Sequence, residues 1–422
     1  MMAKTKHSLN HDLQDEKMNR IAENKSSKSA NSENLAADKW EIPSDWEVIE
    51  LGKLVDEKRP VSYGIVQTGE LIEGGISCIR VTDIIDGKIN TSNLITTSKK
   101  ISDGYKRTLL RKGDLVMALR GKIGQIAKIE NELVGANLTR GVALIALKDI
   151  YYNDFILHQI SSDRTTKIFE RNLNGSALQE LSIGVVRKIP ITLPKSLPEQ
   201  TAIAQLLSTW DNAITKTQAL IAQKEQRKKW LMQNLLTGKM RLKGFSGEWE
   251  DIELGELLTY EQPTKHLVKD TLYNNLYTTP VLTAGKTFIL GYTNEENGIC
   301  TDLPVVIFDD FTTASKYVDF PFKAKSSAMK LLRPKSNANL KYVFEAMQQM
   351  QYVVGGHERH WISKFVYLTI PCPYIEEQTA IAQVLQAADK EIQLLKTKCT
   401  KLKEQKKGLM QVLLTGKKRL II

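Results

Sequence analysis

At 422 residues the chain is long enough for two or three domains, each with a core of its own. An apolar fraction of 42% with no run near the ~18 residues of a membrane span, no short apolar leader, and four cysteines (Cys78, Cys300, Cys372, Cys399) without CxxC spacing argue against a membrane protein, a disulfide framework and a cysteine zinc site, so a cytoplasmic location is expected. Lys and Arg number 59 against 48 Asp and Glu, a net charge of +11, which is the footprint of a polyanionic partner such as nucleic acid.

Residues 1–40 are polar and rich in Asn, Ser and Lys, and are expected to form a mobile leader or a short helix. A first α/β domain is expected over 41–197. "ISCIRVTDI", "DLVMAL", "KIGQIAKI" and "GVALIAL" have strand patterning, and "YYNDFILHQISSDRTTKIFERN" reads as one amphipathic helix. A polar loop, "LNGSALQELS", then leads to the strand "RKIPITLP". Next comes a long helix over 198–243, with Ser196 and Glu199 at capping-box spacing, Pro198 in its first turn and Gly238 at its end. A second domain over 244–375 repeats the plan with "TPVLTA", "LPVVIF" and "SAMKLLRP" as strands and "LKYVFEAMQQMQYV" as helix. Its loop "VGGHERHWIS" precedes the strand "FVYLTIPCP", and a second long helix fills 376–422, with Gly416 near its end.

The two long helices are copies. Residues 199–242 and 377–420 align without a gap at an offset of 178, and half of the positions are identical, beginning with "EQTAIAQ" in both. Each carries an apolar seam with steps of four and three. In the first copy it is Ile203, Leu207, Trp210, Ile214, Ile221, Leu231 and Leu235, interrupted by Thr217, Lys224 and Lys228. In the second it is Ile381, Leu385, Ile392, Leu395, Leu402, Leu409 and Leu413. Matching seams of equal length predict that the helices pack on each other as a coiled coil. A second echo, "DWEVIELGKL" (45–54) and "EWEDIELGEL" (248–257), opens each domain. The frame is duplicated, whereas the loops it carries are unrelated.

These words, "LPEQTAIAQLL", "KKWLMQNLLTGKMRL", "EEQTAIAQVL" and "KKGLMQVLLTGKKRL", resemble the specificity subunit of type I restriction–modification systems from about residue 41 onward. The second domain, with "VLTAGKTFILGYTNE" and "FDDFTTASKYVDF", also resembles a recurrent target recognition domain of that family. The resemblance implies two α/β target recognition domains separated by two long antiparallel helices, an internal pseudo-twofold repeat. It further implies that the chain is not an enzyme on its own: it reads a split double-stranded DNA site and docks two modification (methyltransferase) subunits and, through the assembled complex, restriction (motor and nuclease) subunits. S-adenosylmethionine, ATP and Mg²⁺ belong to those partners, with no cofactor in this chain.

Base reading needs Arg, Lys, amide or hydroxyl side chains delivered to base edges. The candidates are Arg120, Lys122, Asn137, Arg140 and Gln179 in the first domain, and Lys286, Thr287, Thr312, Thr313, Lys316, Arg359, His360 and Lys364 in the second. Catalytic signatures are missing: "GIVQTGE" ends in Glu where a P-loop needs Lys, and no adenine-methylation motif of the NPPF or DPPY type occurs. His357 and His360 have HxxH spacing without an evident third ligand, and Asp309–Asp310 fits a structural or turn role better than a metal pair, since adjacent strand residues point to opposite faces. Two alternatives stay open at this level. A coiled-coil scaffold that reads no DNA predicts salt-insensitive partner binding, and an enzyme with cryptic motifs predicts action on DNA alone.

Overall fold

The computed structural model describes residues 41–173, 179–285, 287–350, 352 and 359–420. The leader expected over 1–40 lies outside them. The chain divides into two compact units. One takes the residues up to Ile214 together with those from Lys401, and the other takes Thr215–Thr400. The division falls within both long helices, so each unit contains one domain, the start of one helix and the end of the other.

In the first unit "DWEVIE" forms the strand Trp46–Glu50, paired antiparallel with Pro190–Pro194 from Trp46↔Pro194 to Glu50↔Pro190. This pairing ties the two ends of the domain together. Between them a four-stranded antiparallel sheet runs in the order Ser62–Tyr63, Val142–Ile145, Leu115–Ala118, Ile126–Lys128. A three-stranded sheet runs Ile95–Thr97, Ile76–Ile79, Asn137–Leu138. The four-stranded sheet is buried on both faces, because Leu115, Met117 and Ala143 enter one core while Val116, Ala118 and Val142 enter another. Side chains alternate across a strand, so a sheet covered on both sides reads as an unbroken apolar run. That is why "LVMAL" shows no polar alternation.

The second unit repeats this plan. Glu250–Glu253 pairs with Thr369–Cys372, and the four-stranded sheet runs Leu258–Glu261, Met329–Pro334, Val305–Asp309, Ser315–Val318. A three-stranded sheet runs Ile289–Thr293, Thr279–Leu282, Lys323–Ala324. Val306 and Phe308 face one core, and Val305 and Ile307 the other.

One predicted element is split. Residues 151–172 form two helices, Asn153–Ile160 and Asp163–Arg171, not one. Ser161 closes the first, and the Ser162 hydroxyl caps the second by accepting the Thr165 N–H. Two adjacent serines offer the backbone local side-chain partners that compete with a continuous helix.

The long helices are Leu197–Leu235 and Ile375–Leu413, 39 residues each. The Ser196 hydroxyl accepts the Glu199 N–H, as a cap should. The Glu199 carboxylate, however, faces Arg419 instead of returning to the cap. Gly238 and Gly416 adopt φ +68° and +72°, the left-handed conformation that ends a helix without a Cβ penalty. Every seam position is buried or half-buried. The helices run antiparallel within each unit, and the seam lysines are satisfied across the pair. Lys406 holds Asp211 at 2.6 Å in the first unit, and Lys228 holds Asp389 at 2.6 Å in the second. Both partners differ by 178 between the units, so this is one ion pair built twice. Lys224–Glu391 and Lys396–Glu225, at 2.6 Å each, belong to the second unit alone.

The repeated "EQ" fastens each helix to its domain. Glu199 and Glu377 are buried, and each receives a two-pronged arginine, Arg419 at 2.5 and 2.7 Å and Arg241 at 2.6 and 2.5 Å. Each arginine also lies over a tryptophan of the opening strand region, Arg419 over Trp46 and Arg241 over Trp249. Beside them Gln200 donates to the Pro194 carbonyl and accepts the Tyr152 N–H, while Gln378 donates to Pro373 and accepts the Asn339 N–H. Buried polar groups are tolerated when fully bonded, and these amides join three chain segments in each unit.

Candidate nucleic-acid interface

In the first unit the turn between Leu115–Ala118 and Ile126–Lys128 carries Arg120 and Lys122. The chain leading into the short helix Ile183–Arg187 runs against this turn. The Leu181 N–H donates to the Leu119 carbonyl at 2.9 Å, and Arg120 and Glu180 form both a β-bridge and an ion pair at 2.9 Å. Gln179, exposed, is the next residue along. The Leu119 N–H donates to the Gly141 carbonyl at 2.8 Å, which draws the exposed Arg140 to the same end of the sheet. Arg120, Lys122, Arg140 and Gln179 are therefore brought together.

Asn137 is not part of this surface. Its side chain is completely buried: Oδ1 accepts from the Thr108 hydroxyl at 2.7 Å and from the Leu138 N–H, and Nδ2 donates to Ser102 and to the Tyr105 carbonyl. All of its hydrogen-bonding capacity is taken inside the domain, so the reading role expected from sequence is corrected to a structural one.

The second unit builds the same junction from different residues. The turn between Val305–Asp309 and Ser315–Val318 presents Phe311, Thr312 and Thr313. The Asp309 carboxylate accepts the N–H groups of Phe311 (3.1 Å) and Thr312 (2.8 Å) and the Thr312 hydroxyl (3.0 Å). Thr313 sits at φ +59°, unusual for a β-branched residue, so the turn is held in one shape. The chain leading into the short helix His360–Ser363 meets it: the His360 N–H donates to the Asp310 carbonyl at 3.0 Å and the Trp361 N–H to Asp310 Oδ1 at 2.8 Å. Arg359, Thr312 and Lys316 are exposed around this junction, and Lys364 is half-buried just beyond the short helix.

His360 is a second correction. It is fully buried, with Nδ1 3.3 Å from the Tyr352 hydroxyl, and offers nothing to a base. Thr287 is exposed on the hairpin of the three-stranded sheet, not at this junction, and Lys286 and His357 lie outside the described residues. Phe311, 47% exposed at the turn tip, was not among the sequence candidates. Its only sequence signal is an aromatic residue inside the polar stretch "DDFTTASK". The Asp309 carboxylate serves the turn and that of Asp310 the loop beside it, and among the described residues no group of three or more His, Cys, Asp or Glu is placed to hold a metal. No helix of the described residues is long and apolar enough to cross a membrane.

Each unit thus carries an α/β domain with a turn-and-loop junction edged by basic and polar side chains, joined to parts of both duplicated helices. The family comparison makes this specific. Residues 43–225 and 246–404 match the type I restriction modification DNA specificity domain, and the chain belongs to that family. It is 51% identical over 150 residues to the EcoR124I/EcoR124II specificity subunit of Escherichia coli, a match covering 34% of this chain and 37% of that protein. It is 29% identical over 214 residues to the MjaVIII specificity subunit of Methanocaldococcus jannaschii, covering 49% of each. The aligned regions thus span less than half of either relative. In fold it is similar to the type I restriction–modification S subunit of M. genitalium, with a TM-score of 0.59 at 15% identity over 91% of this chain and 97% of that one.

Proposed function

We propose that this chain is the DNA-specificity subunit of a type I restriction–modification complex and that it recognises an asymmetric, split double-stranded site. The observation that carries this reading is the junction built twice on one frame: the backbone ties between turn and loop are equivalent, Leu119 with Leu181 and Asp310 with His360, while the exposed side chains around them differ. A frame kept constant beneath divergent surfaces suits two readers of different sequence. Arg120, Lys122, Arg140 and Gln179 would meet one half-site, and Thr312, Thr313, Lys316, Arg359 and Lys364 the other. Thr287, on its own hairpin, would make a contact apart from that junction.

The long helices would dock two modification subunits that carry out N6-adenine methylation, and restriction subunits would join through the assembled complex. S-adenosylmethionine, ATP and Mg²⁺ would be bound by those partners. The test is methylation mapping by long-read sequencing in cells expressing the chain with its cognate modification subunit. One asymmetric, interrupted motif carrying N6-methyladenine is expected. An assembled, methyltransferase-competent complex that methylates no defined motif would refute the reading.

A further inference from the structure

Asp310 and Lys330 are each about 2% exposed, with Lys330 Nζ 3.3 Å from Asp310 Oδ2. Lys330 comes from the central strand Met329–Pro334, with its ammonium 5.3 Å from the centre of the Tyr260 ring. The Gln262 amide, oriented so that its oxygen faces the ammonium, also accepts from it. Removing two charges from water is costly, and such a pair is often no more stabilising than well-packed apolar residues. The first unit makes the same junction that way, with buried Leu119 in place of the aspartate. Stability alone therefore does not explain the pair.

What the carboxylate does is geometric. Oδ2 is held by Lys330, and Oδ1 accepts the Trp361 N–H at 2.8 Å while the same residue's carbonyl accepts the His360 N–H. On one side of Asp310 stand Phe311 and Thr312, fixed by Asp309, and on the other stands Arg359. We propose that Asp310, anchored by Lys330, is a positioning residue for base recognition by the second domain: it clamps the Arg359 segment to the Phe311–Thr312 turn so that both meet one DNA segment in fixed register. This rests on the DNA-reading function proposed above. A pair that is neutral to stability can still fix a single arrangement.

The test uses the full chain assembled with its modification subunit and reads base preference at both half-sites by methylation mapping. Asp310→Ala with Lys330→Met removes both charges and the side-chain clamp on the Trp361 N–H, leaving only the backbone bond from His360. Asp310→Asn with Lys330→Gln removes the charges but keeps an oxygen for the Trp361 N–H. Expected is a loss of discrimination of tenfold or more in the half-site read by the second domain for the first variant, with the other half-site unchanged, and wild-type preference for the second variant. Wild-type preference at both half-sites in the alanine–methionine chain would overturn the proposal, as would equal relaxation of both half-sites. If that chain fails to assemble, the asparagine–glutamine chain decides, and loss of its second half-site preference overturns the clamp. Failure of the wild-type complex to methylate any split motif would instead refute the DNA-reading function itself.

Discussion

His158 offers a test of how the first domain is seated on the helix pair. The ring is 2% exposed, with Nε2 3.3 Å from the Ser208 hydroxyl and Nδ1 3.9 Å from Asp211, which Lys406 already holds. Burial, reinforced by the nearby Lys406 charge and only partly offset by Asp211 and Asp154, pushes its pKa down to about 4 from 6.5. At pH 7 the imidazole is neutral in the folded chain and mostly neutral in the unfolded one. As the pH falls from 6.5 toward 4 the unfolded chain takes up a proton that the folded chain refuses, so stability drops across that window and levels off below it. With 1.36 kcal/mol per pKa unit the loss is on the order of 2.5 kcal/mol by pH 4.5. The assay is urea denaturation of the wild type and of His158→Gln between pH 7 and pH 4.5. Carboxylates titrate alike in both, so the difference isolates the histidine. The glutamine chain should lose about 2.5 kcal/mol less than the wild type over this range. Parallel stability profiles, or an imidazole midpoint near 6.5 by NMR, would refute the reasoning.

The Glu377–Arg241 pair predicts an asymmetry. Arg241→Ala strands a carboxylate that is 3% exposed, whereas Glu377→Ala leaves an arginine able to turn toward water, so the arginine variant should melt lower in calorimetry. Equal melting would contradict this account of the lock. Asn137→Ala should destabilise the protein by roughly 1–3 kcal/mol, because it takes the Oδ1 acceptor from the Leu138 N–H and the amide donor from Ser102 inside a closed core. Its motif specificity, scored by methylation mapping, should be unchanged in whatever fraction remains folded. Arg359→Ala should behave oppositely, with an unchanged melting temperature and a loss of about 1–3 kcal/mol in cognate DNA binding if the guanidinium contacts a base in two-pronged fashion. Unaltered affinity would remove Arg359 from the reading surface.

The sequence candidates for base contact were chosen by residue type in polar loops, and this is where tertiary structure corrected them. Asn137 stands three residues before the exposed Arg140, and His360 directly follows the exposed Arg359, yet both are core residues. Neighbours in an extended segment point to opposite sides, and which side faces the core depends on what packs there. In "FDDF" a structural or turn role is the expectation; Asp309 caps the turn, whereas the partner of Asp310 lies 20 residues away on another strand, beyond any local pattern. Phe311 is not legible as a surface residue, because in one sequence an exposed aromatic residue looks the same as a buried one.

Local chemistry and repetition were enough to set out the frame. Two copies of one helix with matched seams, left-handed glycines at their ends, strand-like apolar runs and a repeated opening strand are all periodic or short-range features, and period and backbone conformation are written residue by residue. The tertiary structure alone decided why the repeated words recur: "EQ" supplies a buried carboxylate for an arginine 220 residues away in one unit and 136 in the other, and a buried amide that joins strand, helix and loop. It also turned the lysines that interrupt the seam into cross-helix ion pairs, and separated surface from core within single loops. Those outcomes depend on which distant groups share a low-dielectric interior, and no window of neighbouring residues contains that information.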